Sequence, residues 1–229
     1  MAINGAFRFH AVGQGLFYSG LITDASRGRR GTFSFVYDCG TTSSKKFLLR
    51  EIDDLKELLQ CAGPGRKRLD LLVVSHMHDD HVNGLEYLLD GLEVDTVVMP
   101  YVGHAIRLLA RAESDDEDPF LSHFYADPVD WFSSRGVRRI MLVGSPENES
   151  FRVNGIQRYD DEEGLTVDRD DVLSYGRAGD TPLLFLRNDA RAMCHRMQWR
   201  FSFRNLEHSG RAPYLGVLER FQRERMLSL

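Results

Sequence analysis

The run Leu69-Asp70-Leu71-Leu72-Val73-Val74 passes without a break into Ser75-His76-Met77-His78-Asp79-Asp80-His81. The first half is short, largely apolar and bounded by polar residues, the pattern of a strand buried on both faces. The second half packs three of the chain's eight histidines beside two aspartates. A strand that ends in such a cluster delivers its side chains to a crevice beyond the sheet, where α/β proteins hold ligands. This junction constrains the fold more than any other feature. The chain must build layers around a buried strand and still leave that strand's carboxyl end accessible.

The flanking sequence supplies the layers. Phe7–Val12 and Leu16–Thr23 predict strands joined by a tight Gly13-Gln14-Gly15 turn, and Thr32–Tyr37 predicts a third strand ending at Asp38-Cys39-Gly40. Arg27–Gly31 reads as a basic loop. Leu48, Ile52, Leu55 and Leu59 recur at helical spacing after a cap at Ser43 or Ser44, and Gly63-Pro64-Gly65 ends that helix. Val82, Leu85 and Leu89 form a second helical stripe. A strand at Thr96–Met99, a helix over Ala105–Ala112, an acidic loop at Asp115–Asp118, a helical Phe120–Ser134 interrupted by Pro128, and a strand at Val137–Val143 follow. The alternation predicts an α/β layered fold. Beyond it, Phe151–Asp170 is mixed and polar, Leu183–Leu186 and Trp199–Phe203 predict strands, and Pro213 starts a last helix with Tyr214, Val217, Leu218 and Phe221 on one face.

Composition narrows the function classes. The 229 residues and 42% hydrophobic content suit one ordinary globular domain, and the formal net charge of −5 excludes a generic polyanion binder. Basic clusters at Arg27, Arg29 and Arg30, at Arg66, Lys67 and Arg68, at Arg135, Arg138 and Arg139, and at Arg220, Arg223 and Arg225 are each read as solvated charge. Three dispersed cysteines, Cys39, Cys61 and Cys194, argue against a disulfide framework. With no leader pattern and no apolar run of the ~18 residues that span a bilayer, the expected location is cytoplasmic, with no membrane partner.

Imidazole and carboxylate together suit a divalent cation, zinc first and manganese as the alternative. His76 and His78 are two residues apart, so an extended backbone aims both to one side. Asp80 and His81 fall at the turn into the next helix and can address a neighbouring ion. Several imidazoles and carboxylates packed together are costly unless something coordinates or neutralises them.

His-x-His-x-Asp-His after a Leu-Leu-Val-Val-Ser strand resembles the metallo-β-lactamase superfamily. Val12-Gly13-Gln14-Gly15 is similar to the N-terminal turn of the hydrolase domain of DNA-uptake competence proteins. Tyr37-Asp38-Cys39-Gly40 resembles the family's strand-end Asp-x-Gly, and Val97-Val98-Met99-Pro100 the strand after the first metal-site helix. The resemblance covers Phe7 to Tyr101. It implies an αββα sandwich, or part of one, formed as a single domain over 1–229, with 102–229 an insertion plus a weakly matched second half. It also implies two metal ions per complete site: His76 and His78 on the first, Asp80 and His81 on the second, and Asp38 behind them steadying the loop. Asp80 and His81 are the implied catalytic pair, and a metal-activated water the nucleophile.

The family also needs a third histidine, a Gly-Asp aspartate and a final histidine downstream. The nearest matches are Gly179-Asp180 and Glu207-His208-Ser209-Gly210, while His104, His123 and His195 read as surface or packing residues. The expectation is a chain carrying part of the fold, completed by a partner chain or further segment, because no second set of strands is legible; degenerate ligands at Asp180 and His208 are the alternative. The function expected is a phosphodiesterase or nuclease acting on nucleic acid or a nucleotide, with Arg27, Arg29 and Arg30 beside the crevice. Hydrolysis of a lactone, thioester or amide, and a catalytically incomplete module, are the other readings.

Overall fold

The computed structural model describes residues 3–62, 68–113, 118–144, 165–194, 197 and 199–204. In chain order these form β1 (Ile3–Phe9), β2 (Phe17–Asp24), β3 (Thr32–Cys39), α1 (Lys45–Ala62), β4 (Arg68–Val73), α2 (Asp79–Val82), α3 (Leu85–Leu89), β5 (Glu93–Pro100), α4 (His104–Glu113), α5 (Pro119–Ala126), α6 (Pro128–Ser134), β6 (Arg139–Val143), β7 (Leu165–Val167), β8 (Val172–Ala178), β9 (Thr181–Leu186), β10 (Ala190–Cys194) and β11 (Trp199–Phe203). Short 3-10 segments occupy Ala25–Gly31 and Arg169–Asp171.

One sheet has the order β1-β2-β3-β4-β5-β6-β9-β8, and a smaller one the order β11-β10-β7. From β3 through β9 the neighbours run parallel. The apolar run read as a doubly buried strand is β4, and its sides serve two cores. Leu69 and Leu72 join the layer beneath α1, α3, α5 and α6, whereas Leu71 and Val73 join the layer shared with the small sheet. Helix, sheet and second sheet are thus stacked, as an α/β layered fold requires. The helical stripe Leu48, Ile52, Leu55 and Leu59 is buried as its spacing predicts.

Several expectations are corrected. The Val82–Leu89 stripe is two short helices with Asn83 and Gly84 between them, and Gly84 lies so near Cys39 that a Cβ would sit 2.8 Å from its Sγ. Phe120–Ser134 is likewise two helices. Asp127 stands between them in an extended conformation, and its carboxylate caps α6 through Val129 N at 3.1 Å and Asp130 N at 3.0 Å. Pro128 therefore starts a helix rather than interrupting one. Ser43 does not cap α1; its Oγ accepts from Gln14 N. The strands expected at Leu183–Leu186 and Trp199–Phe203 are β9 and β11, and β7, β8 and β10 join them against expectation: β7, β10 and β11 build the second sheet, and β8 and β9 extend the first. The unexpected β7, β8 and β10 are short and half-exposed, so their apolar pattern is weak. Gly63-Pro64-Gly65, Arg66, Lys67, Asp115–Glu117, residues 151–164, His195, His208 and everything from 205 on, including the predicted last helix, lie outside the described residues, as do the side chains of Arg29 and Arg30. No helix among the described residues is long and apolar enough to cross a membrane.

His10 ties the β1–β2 hairpin to α1. Its Nδ1 lies 2.8 Å from Glu51 Oε2, its Nε2 lies 2.8 Å from Ser19 Oγ, and its ring stacks on Phe17. The donor order is that of a serine-hydrolase triad, but Ser19 is only 5% exposed, closed to a substrate carbonyl, so the set acts as a structural cross-link. Burial pulls the His10 pKa below 6.5, against the raising effect of the Glu51 hydrogen bond. The folded state therefore prefers neutral His10, and the unfolded chain takes up its proton first as pH falls. Stability contributed by this group is present above about pH 6.5 and declines below it, down to the lower folded-state pKa. Urea midpoints should fall on moving from about pH 7.5 to about pH 5.5, and His10→Gln should flatten that slope.

Candidate metal centre

The parallel strands all end on one edge, and the histidine motif begins there. Val74 N still bonds Val98 O at 2.9 Å, after which the chain leaves the sheet. Ser75 N then donates to Asp38 Oδ1 at 2.7 Å, and Ser75 Oγ donates to Asp38 Oδ2. Asp38 is fully buried and left-handed, with φ 58°. Aspartate tolerates that conformation better than most residues, and here it turns the carboxylate off the end of β3 into the loop.

A proton count fixes how the imidazoles are held. Ser75 Oγ has one proton, committed to Asp38, so at 2.9 Å it accepts from His76 Nδ1. His81 Nδ1 lies 2.8 Å from Asp38 Oδ2, a carboxylate oxygen that only accepts, so this nitrogen too carries the proton. Both rings are thereby left with Nε2 as the free lone pair, the usual arrangement for a ligating histidine braced from behind. His81 Nε2 lies 3.7 Å from Asp80 Oδ2. The His76 ring centroid is 3.9 Å from that of His81 and 4.7 Å from that of His78, whose side chain is exposed. Asp38, His76 and His81 form the group among the described residues whose donor atoms all lie within 4.8 Å of one another. With Asp38 spent on Ser75 and His81, the donors left are the Nε2 nitrogens of His76 and His81 with the Asp80 carboxylate beside the latter, a set suited to a divalent cation; His78 and Asp80 lie outside the close group.

The electrostatics are those of crowded imidazoles. Burial lowers the His76 pKa, and the neighbouring His81 and His78 lower it further. Burial opposes charge on His81 as well, but the Asp38 hydrogen bond and the charges of Asp38 and Asp80 outweigh it and raise its pKa.

The N-terminal turn buttresses the motif. Leu16 N donates to Asp80 O at 3.1 Å, and Gly40 N to Leu16 O at 3.0 Å. Gly15, at φ 140°, and Gly40 stand where a side chain will not fit: a Cβ on Gly40 would lie 2.5 Å from Asp80 C and 2.6 Å from His81 N. Asn83 closes the other side, accepting from Thr41 N at 3.0 Å and donating to Thr41 O at 2.8 Å. The Gly13-Gln14-Gly15 turn, Asp38-Cys39-Gly40 and the His/Asp motif are thus one packed unit.

The chain matches the metallo-beta-lactamase superfamily across residues 19–181. It belongs to that superfamily. The match runs well past Tyr101, so the family's pattern continues through α4, α5 and α6 and into the β8–β9 hairpin. Comparison with curated proteins returns no match. Membership points to a metal-dependent hydrolase, and the donor set above fits such an activity.

Other candidate residues lie elsewhere. Asp180 is in the β8–β9 turn, and β9 runs parallel to β6, so Asp180 sits at the strands' amino ends, across the sheet from the motif. It is not positioned as a ligand. His104 is exposed at the start of α4, and His123 is exposed near Asp130. Arg27 is displaced from its expected place for the same topological reason as Asp180: the Ala25–Gly31 segment precedes β3, opposite the end that carries Asp38. Arg68, Arg138 and Arg139 gather around buried Asp95 at that far end too, with Arg138 Nη1 2.7 Å from Asp95 Oδ1.

Elemental analysis of purified protein should find bound divalent metal, with at least one equivalent lost in His76→Ala. Gly40→Ala should also lose metal although it alters no donor residue, because its Cβ forces the Asp80–His81 backbone to shift. Full metal content in Gly40→Ala would contradict the packing described here.

Proposed function

We propose that this chain is a metal-dependent phosphodiesterase that acts on a nucleic acid or nucleotide. The observation that carries the hydrolytic part is the bracing of the His76 and His81 Nδ1 atoms by Ser75 and Asp38, which leaves both Nε2 lone pairs available, with Asp80 beside His81. His76 and His78 would hold one divalent cation and Asp80 and His81 a second, and ions bound there would lower the pKa of a water towards about 7 and polarise the bond to be cut. The protein's own residues keep the donors aimed and the Nδ1 protons in place. Zinc is the ion this donor set favours, with manganese next.

The nucleotide part rests on an aromatic rung. Phe9 faces Tyr18 across β1 and β2, and Tyr18 faces Tyr37 across β2 and β3. All three lie on the face shared with the second sheet, at the end of the strands where the motif begins, and Tyr37 pairs with Val73, two residues before Ser75. Phe9 is 77% exposed and Tyr37 38%, and the Phe9 and Tyr18 rings stand 4.5 Å apart. Exposed rings in a row leading to a hydrolytic centre suit bases stacked along a strand, a contact that needs no sequence readout. The basic clusters contribute nothing to this reading, because those described lie at the far end of the sheet. The competence-type turn at Gly13-Gln14-Gly15 is compatible with it.

Zinc- or manganese-loaded protein should cut single- or double-stranded DNA, RNA or a cyclic dinucleotide, and Asp80→Ala should abolish cutting. Turnover of esters, lactones or thioesters alone would keep a hydrolase and remove the phosphodiester assignment. For an oligonucleotide substrate, Tyr37→Ala or Phe9→Ala should raise KM roughly 5- to 150-fold, the equivalent of ~1–3 kcal/mol per stacked base. An oligonucleotide abasic at the contacted positions should show no such difference between variants. Equal effects on both substrates would argue that the rings only support the fold.

A further inference from the structure

The helices α4 and α5 fall in the region expected to be an insertion, yet one side chain from them enters the metal loop. Tyr125, near the end of α5, is 1% exposed. Its hydroxyl lies 3.0 Å from Met77 O and 3.0 Å from Asp79 Oδ1. Met77 separates His76 from His78, and Asp79 separates His78 from Asp80. The phenol therefore grips the loop at both spacer positions, between the residues that face the cation. Burial and the charge of Asp79 both raise the Tyr125 pKa, so the hydroxyl stays protonated and donates.

The helix that carries Tyr125 is anchored at both ends, which makes it a stiff support. At its start Asp118 caps Phe120 N at 3.0 Å and pairs with Lys45 of α1 at 3.1 Å. At its end Arg107 of α4 donates to Tyr125 O at 3.1 Å and to Ala126 O at 3.0 Å, filling carbonyls a helix terminus leaves open. Arg111 of α4 donates to Ser122 Oγ at 3.1 Å. Phe124, beside Tyr125, makes no bond to the loop; it packs on Trp131 and Phe132 and meets the Tyr125 ring edge-on, with centroids 6.0 Å apart.

We propose that Tyr125 is a positioning residue for the metal centre: through Met77 O and Asp79 it sets the spacing of His76, His78 and Asp80, and so governs how tightly the ion is held. It touches neither substrate nor ion. The inference rests on the reading of the motif as a metal site.

The test measures zinc affinity by chelator competition, and the rate of zinc release, for wild type, Tyr125→Phe and Phe124→Leu, with the thermal midpoint of each metal-free protein. Tyr125→Phe keeps the ring and removes only the hydroxyl, so the fold survives. It should weaken zinc binding ~10–100-fold, the range seen when a group supporting a ligand is removed, and it should speed release. Phe124→Leu disturbs the same helix without touching the loop, so it should lower the thermal midpoint and keep wild-type zinc affinity. Asp79→Asn retains an acceptor oxygen for the phenol and should lose less affinity than Tyr125→Phe. Wild-type affinity in Tyr125→Phe, or an equal loss in Phe124→Leu, overturns the positioning role while leaving the metal site standing. Zinc binding absent from the wild type itself overturns both.

Discussion

The buried carboxylate of Asp38 is the interaction on which the rest of the site depends. A fully buried charge is costly unless hydrogen bonds replace its lost water, and Asp38 accepts from Ser75 N, Ser75 Oγ and His81 Nδ1. Ser75 lies on the loop that leaves β4 and His81 on α2 at its far end, so satisfying one charge ties down both ends of the loop. The tautomers of His76 and His81 follow from the same bonds, because an ionised carboxylate has no proton to give. An isolated histidine cluster would be free to turn its rings; here Ser75 and Asp38 engage both Nδ1 atoms and leave each Nε2 lone pair available.

Close backbone packing supports that carboxylate from two sides. The β1–β2 turn and the Gly40 corner approach the Asp80–His81 peptide so nearly that neither Gly15 nor Gly40 has room for a side chain. From the other side the α4–α5 pair delivers Tyr125 to the spacer residues. The metal loop is a short irregular segment clamped between two rigid bodies, which suits a site whose donors must stay fixed while substrate comes and goes. The aromatic rung across β1, β2 and β3 runs up to this clamp, so the strands that carry Asp38 also provide a surface beside it.

Much of this was legible along the chain because the signals are local. The apolar run of β4, the helical stripe of α1 and the His/Asp motif each declare themselves within a dozen residues, and the resemblance they carry extends into a match over residues 19–181. Pro128 misled because a proline that breaks one helix is chemically the same as a proline that opens the next; the deciding feature, Asp127 capping Val129 and Asp130, is one of geometry. Of the later strands, β9 and β11 are legible as apolar and aromatic runs, whereas β7, β8 and β10 are not, because short, half-exposed strands alternate weakly and resemble loop.

The sequence by itself determined the α/β layering, the doubly buried strand and the presence of a divalent-cation motif at that strand's end, since periodicity and residue chemistry are written residue by residue. Only the tertiary structure decided which end of the sheet each remaining group occupies. It sent Asp180, Arg27, Arg68, Arg138 and Arg139 to the far edge, brought Asp38 under Ser75 and His81, 37 and 43 positions away along the chain, and brought Tyr125 into the motif. The reason is topological. In a parallel sheet every strand carries one end towards the site and one end away from it, and which end a residue joins depends on strand order and direction, which no local pattern encodes.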